Sequence, residues 1–188
     1  MNDVLNVLCY LSEAVGMVTR KKILTMNEHS EQQNTIPTLY EWAGGLEMIE
    51  RLIIKFYDKV FQDDVLKPLF QNMSGSYQIN VAHFISEVLG GPKLYSENGG
   101  SHFGMIKKHF QKHLTEVQRK RWMSLLLHSS DELQLPDDPE FRSAFVGYLE
   151  WGTRLAVINS NVEEIGMNPE ESMPKWGWSE VGGQYQEN

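Results

Sequence analysis

The sequence predicts an all-α chain. From Ile36 onward apolar residues recur at helical spacing, and helix start and stop signals bracket those runs. No segment alternates apolar and polar residues over a useful strand length, and no internal repeat is present. With 188 residues, 41% of them hydrophobic, the chain is long enough for one ordinary core.

The first patterned helix is expected after Gly44-Gly45, where Ile49, Leu52, Ile53, Phe56, Val60 and Phe61 form one apolar stripe. Tyr57 follows Ile53 by one helical turn, so its ring is expected to project toward the same interior. A second helix is expected from about Tyr77 to Leu89, with Val81, Phe84, Ile85 and Val88 as its stripe and Gly90-Gly91-Pro92 as its stop. Thr115-Glu116-Val117-Gln118 has the form of a capping box, and Val117, Trp122, Leu125 and Leu126 make the helix behind it amphipathic. Pro136-Asp137-Asp138-Pro139 then breaks the chain, with Asp138 as the expected cap and Pro139 at a first helical position. The long helix after it carries Phe141, Phe145, Tyr148, Leu149, Leu155, Ala156 and Ile158.

This pattern divides the chain into an N-terminal extension (1–36), expected to be flexible, a helical domain (37–160) and a C-terminal tail (161–188). The tail is acidic, contains Pro and Gly, and holds Trp176-Gly177-Trp178 with the look of an exposed segment. Met26 opens the polar run before the first patterned segment and is a candidate translation start, which would leave residues 1–25 outside the native protein.

The formal charge of -8, with no Lys/Arg stripe, excludes a general nucleic-acid binder. No apolar run approaches the roughly 20 residues that span a bilayer, so no membrane segment is expected. The apolar stretch Asn6 to Leu11 follows Asp3 and precedes Arg20-Lys21-Lys22, the reverse of a signal peptide's order. Cys9 is the single cysteine, which excludes a disulfide scaffold or a cysteine-rich zinc site and fits a reducing, cytoplasmic setting.

Chemistry has to come from polar groups held against the apolar interior. His109 lies in a short segment between Asn98-Gly99-Gly100-Ser101 and the cap at Thr115. A neutral imidazole on such a segment is the usual axial ligand of a haem iron, although a lone histidine is more often a surface or hydrogen-bonded core residue. His109 and His113 stand four positions apart, a spacing that would also suit zinc, but no third ligand accompanies them. Tyr57 and Trp122 read either as large core aromatics whose O–H and N–H reach backbone carbonyls, or as donors facing a small polar guest in an apolar cavity.

The order of the pieces is more specific than any one of them. Gly44-Gly45, Phe56-Tyr57-Asp58, Leu66-Lys67-Pro68-Leu69-Phe70, Phe84 with Gly90-Gly91-Pro92 and Tyr95, Lys108-His109, and Arg121-Trp122 follow one another over Leu39 to Ser160. In that order they resemble the truncated haemoglobins, specifically their second group. The resemblance implies a globin-like, two-over-two helical sandwich around haem b. It implies His109 as the proximal iron ligand, and Tyr57 and Trp122 as distal hydrogen-bond donors. Phe70 and Phe84 would pack against the cofactor, Tyr77 and Val81 would line the distal site, and Lys108 and Tyr95 would contact the propionates. Lys108 is equally readable as a solvated surface lysine. Gln71 to His83 falls a residue short of the expected length, which leaves open whether Tyr77 or Gln78 faces the iron. A slipped register would also make His83 a second axial ligand.

The function the resemblance implies is binding of O2, CO and NO at an open sixth iron position. Two distal donors would slow oxygen release, which favours oxygen, NO or peroxide redox chemistry, such as NO dioxygenase or peroxidase-like activity served by a reductase, over bulk oxygen transport. The competing reading is a haem-free helical sensor or interaction domain that signals through its tail.

Overall fold

The computed structural model describes residues 36–178 apart from 72 and 74. The expectations placed on residues 1–35, Met26 and Cys9 included, and on the tail from 179 onward lie outside the described residues. Within them all regular structure is helical, in the order α1 (Leu39–Trp42), α2 (Gly45–Val60), α3 (Lys67–Phe70), α4 (Ser76–Val88), α5 (Leu94–Glu97), α6 (His102–His109), α7 (Glu116–Glu132) and α8 (Pro139–Ser160). Among the described residues, no helix is long and apolar enough to cross a membrane.

Local chemistry sets the boundaries. At α7 the Gln118 amide donates to Thr115 Oγ1 at 3.3 Å and the Thr115 amide to Gln118 Oε1 at 2.9 Å, the capping box read from the sequence. A second box, Thr38 with Glu41, opens α1. Asp138 Oδ1 accepts from the Phe141 amide at 2.9 Å with Pro139 in the first turn of α8. Gly90, at φ 93°, supplies the left-handed residue that turns the chain after α4.

α2 buries Ile49, Leu52, Ile53, Phe56, Tyr57 and Val60 and packs against α4 and α7; α7 then packs on α8, and α8 on α6. The corner after α2 is fixed by Asp63, whose carboxylate accepts from the amides of Val65 (3.1 Å) and Leu66 (3.0 Å) and from Arg121 Nε on α7 (2.6 Å).

Some expected core positions face water. Phe61 is the residue after the last turn of α2 and is 37% exposed. Val117 shares the exposed face of Arg121, Ser124 and His128, and Ile158 lies one turn beyond the exposed Arg154. The exposed look of Trp176 and Trp178 is also corrected. Trp176 is buried, its amide donating to Val88 O at 2.8 Å and its Nε1 to Ala144 O at 2.9 Å, and Trp178 Nε1 donates to Pro37 O at 2.7 Å. The segment after Ser160 has lost helical periodicity yet still carries core side chains.

Candidate functional site

Two parts of the fold face one cavity of about 950 Å³. The paired helices α2 and α4 contribute Tyr57, Tyr77, Val81 and Phe84, while α3 adds Phe70 and α7 adds Trp122. From the other side come α6, with His102, Lys108 and His109, and the α8 stretch on which α6 packs. Such a volume lies near the top of the roughly 300–1,000 Å³ range of small-molecule sites.

The aromatic wall is a set of edge-to-face contacts. Phe56 lies between Tyr57 and Trp122, with ring centroids 4.9 Å from each. Tyr57 meets Phe70 at 5.5 Å and Tyr77 at 6.0 Å. Burial first of all, then the neighbouring Tyr77, raises the Tyr57 hydroxyl well above its ordinary pKa, so it keeps its proton and can donate. Burial raises Tyr77 as well. Trp122 makes no hydrogen bond within the described residues, unlike Trp42, Trp176 and Trp178, whose indole N–H groups all have acceptors.

His109 closes α6. Burial, reinforced by the Lys108 charge and partly opposed by a hydrogen bond to the backbone of Met105, depresses its pKa below the ordinary value. A neutral ring tied to the backbone one turn back is set up as a metal ligand. Because α6 ends at His109 and the next residues leave the helix, His109 and His113 do not share a helix face. The paired-histidine zinc geometry is therefore not built.

The remaining candidates fall into place around these. Tyr77 lines the cavity and Gln78 does not, so Tyr77 joins Tyr57 there, with Tyr148 of α8 as a third lining phenol. His83 lies off the wall, with Nε2 3.8 Å from Glu50 Oε1. Lys108 Nζ sits 5.8 Å from the Tyr77 ring centroid and 5.9 Å from that of Tyr95, tying α6 to α4 and α5. Tyr95 stands behind the wall, edge-on to Phe84 at 5.2 Å. A Cβ at Gly100 would meet the Tyr95 ring at 2.5 Å, so only glycine lets the loop pass.

Two buried polar residues of the lining escaped the sequence reading. Arg119 is 5% exposed and is held by Glu116 and Glu150, with Nε and Nη1 contacts at 3.0 Å; its signal was the Glu116–Arg119 spacing of one helical turn. His102 is 6% exposed, stacks on Trp151 and leaves Nδ1 without a partner; it lies two turns before His109 on the same face of α6.

The charge of the lining decides what the cavity can hold. In a chain of net charge -8 the cavity has no Asp or Glu among its described lining residues, while Lys107, Lys108 and Lys112 reach its solvent-exposed margin. A mostly apolar slot with a neutral imidazole, neutral phenol donors and, at the rim, lysines that form no ion pair among the described residues fits a flat, apolar macrocycle that carries an iron and peripheral carboxylates.

Comparison with known proteins agrees with that fit. Residues 38–147 match the bacterial-like globin family. The chain is 29% identical over 122 residues to the group 2 truncated hemoglobin YjbI of Bacillus subtilis, covering 65% of this chain and 90% of that protein. Among solved structures, it matches the truncated oxygen-avid haemoglobin from Bacillus subtilis with a TM-score of 0.58 and 29% identity, covering 64% of this chain and 99% of the other. A thermostable hemoglobin from the actinobacterium Thermobifida fusca matches at a TM-score of 0.58 and 31% identity, covering 68% of this chain and all (100%) of the other.

Proposed function

The chain belongs to the bacterial-like globins and, among them, to the group II truncated haemoglobins, with a two-on-two globin fold and haem-based binding of diatomic gases such as O2; on that premise we propose that His109 is its one protein ligand to the iron of haem b. Bound there, the haem offers an iron position open to O2, CO or NO. Lys108 and its neighbours Lys107 and Lys112 hold the propionates. Val81, Phe70 and Phe84 keep the cavity apolar, which strengthens each hydrogen bond made inside it.

Tyr57, Tyr77 and Trp122 supply the distal donors. The observation that carries this assignment is Trp122, which lines the same cavity as His109 and Tyr57 and whose indole N–H has no acceptor among the described residues. A core tryptophan normally spends its N–H on a carbonyl. Here it is left for a guest.

With donors worth about 1.5 kcal/mol each, two of them slow oxygen release by roughly a hundredfold. Slow release suits oxygen-dependent chemistry, with NO oxidation or peroxide reduction fed by a reductase, better than bulk transport. The haem-free reading drew on an exposed Trp176 and Trp178, and both are packed. Stopped-flow oxygen dissociation tests the assignment: the wild type should release O2 slowly and Trp122→Phe markedly faster. Fast release from the wild type, unchanged in the mutant, would remove the distal-donor account.

A further inference from the structure

Four of the chain's five tryptophans lead in steps from the cavity toward solvent, and nothing in gas binding calls for it. Trp151 lines the cavity. Its ring centroid is 5.7 Å from that of Trp176, and Tyr148, also on the cavity wall, is 6.0 Å from Trp176. Trp176 and Trp178 are separated by two peptide steps, so their Cα atoms are at most about 7.6 Å apart. Trp178 then meets Trp42 edge-on at 5.6 Å, and Trp42 is 45% exposed. The family match ends at residue 147, so Trp151, Trp176 and Trp178 lie beyond it.

The hydrogen bonds give this line a direction. When an indole loses an electron its N–H becomes strongly acidic, and the ring is stabilised where a base can take that proton or a negative charge stands beside it. Trp176 and Trp178 donate to the neutral carbonyls of Ala144 and Pro37, which do neither. Trp42 Nε1 donates at 2.9 Å to Asp138 Oδ2, a carboxylate whose other oxygen is fixed by the Phe141 amide. Of these three rings Trp42, the most exposed, is therefore the easiest to oxidise.

We propose that Trp151, Trp176, Trp178 and Trp42 form an electron path that carries an oxidising equivalent out of the cavity to Trp42, where an external one-electron donor quenches it. The proposal rests on the haem reading above. The oxidant is hydrogen peroxide, whose O–O bond breaks as it takes up two electrons and two protons and leaves as two waters. One electron comes from the reduced cofactor and the other from Trp151, which is refilled in turn from Trp176, Trp178 and Trp42, while the two protons come from solvent. The net loss is one electron from the cofactor and one from Trp42, whose N–H proton passes to Asp138. Two equivalents of a one-electron reductant of the ascorbate class then restore the cofactor and the ring.

The test mixes haem-loaded full-length protein with equimolar peroxide, freezes it for electron paramagnetic resonance, and maps oxidised side chains by mass spectrometry. The expected result is a tryptophan radical in the wild type, oxidation concentrated at Trp42, and loss of both in Trp42→Phe, whose Soret band matches the wild type. Trp151→Phe, used only where its Soret band shows haem bound, should also lose the Trp42 product. Asp138→Asn keeps a capping side chain at α8 while removing the charge, and should lower the yield at Trp42. A radical confined to Tyr57 or Tyr77, or Trp42 oxidation unchanged in Trp151→Phe, would overturn the path and leave the haem reading standing. Failure of the wild type to take up haem would overturn both.

Discussion

Tyr57, Tyr77 and Trp122 reach one cavity from three helices, and each single substitution should report on one hydrogen bond. Tyr57→Phe and Tyr77→Phe should each speed oxygen dissociation by about tenfold, the equivalent of roughly 1.4 kcal/mol, as read by flash photolysis or stopped flow. Equal rates in both mutants and the wild type would show that neither phenol touches the guest. His109→Ala should lose its Soret absorbance on desalting, and haem retained with unchanged coordination would name another ligand, the buried His102 being the first to try. At this scale the sequence was legible where order and spacing carried the signal: His109, Tyr57, Trp122 and Phe70 all line the cavity. It was not legible where a side chain's use depends on distant partners. Arg119 becomes a buried ion-pair centre only because Glu150 arrives from α8, and His102 is buried because Trp151 covers it.

The elements were readable from caps and stops, and their mutual placement was not. Thr115, Asp138 and Gly90 announced their helix boundaries because each solves a local backbone problem. The link between the α2–α3 corner and α7 depends on Asp63 and Arg121, far apart in sequence and invisible to any local pattern. Burial opposes ionisation of Asp63, but the hydrogen bond from Arg121 and the amides of Leu66 and Val65 outweigh it, so the carboxyl titrates below its usual value. A carboxylate depressed on folding stabilises above its unfolded pKa, near 4, and loses that contribution as the pH falls through the lower folded value. Asp63→Ala should therefore cost about 2–3 kcal/mol in denaturant unfolding at neutral pH. The gap between mutant and wild type should close in acid, and a pH-independent gap would assign the effect to packing instead.

Across the whole molecule, the described part of the tail belongs with the globin core. Trp176 ties the C-terminal segment to α4 through Val88 and to α8 through Ala144, and Trp178 ties it to Pro37 ahead of α1. Trp176→Ala should cost about 3–5 kcal/mol, the usual range for emptying a buried tryptophan site, with a matching drop in Tm. No change in Tm would mean that the segment does not hold the core. This packing was hidden in the sequence because an irregular segment has no periodicity to mark its inward side. The lysine-rimmed cavity, with no carboxylate among its described lining residues, was equally hidden, since it gathers residues from six helices and the loops between them, in a chain whose total charge has the opposite sign. The proposal that accounts for these features together is a haem held by His109 with its far side open. The direct measurement is the visible spectrum of the haem-supplied protein, oxidised, reduced, and reduced under CO. A strong Soret band that shifts with CO is the predicted result; a colourless protein that also fails to take up added haem would contradict the account.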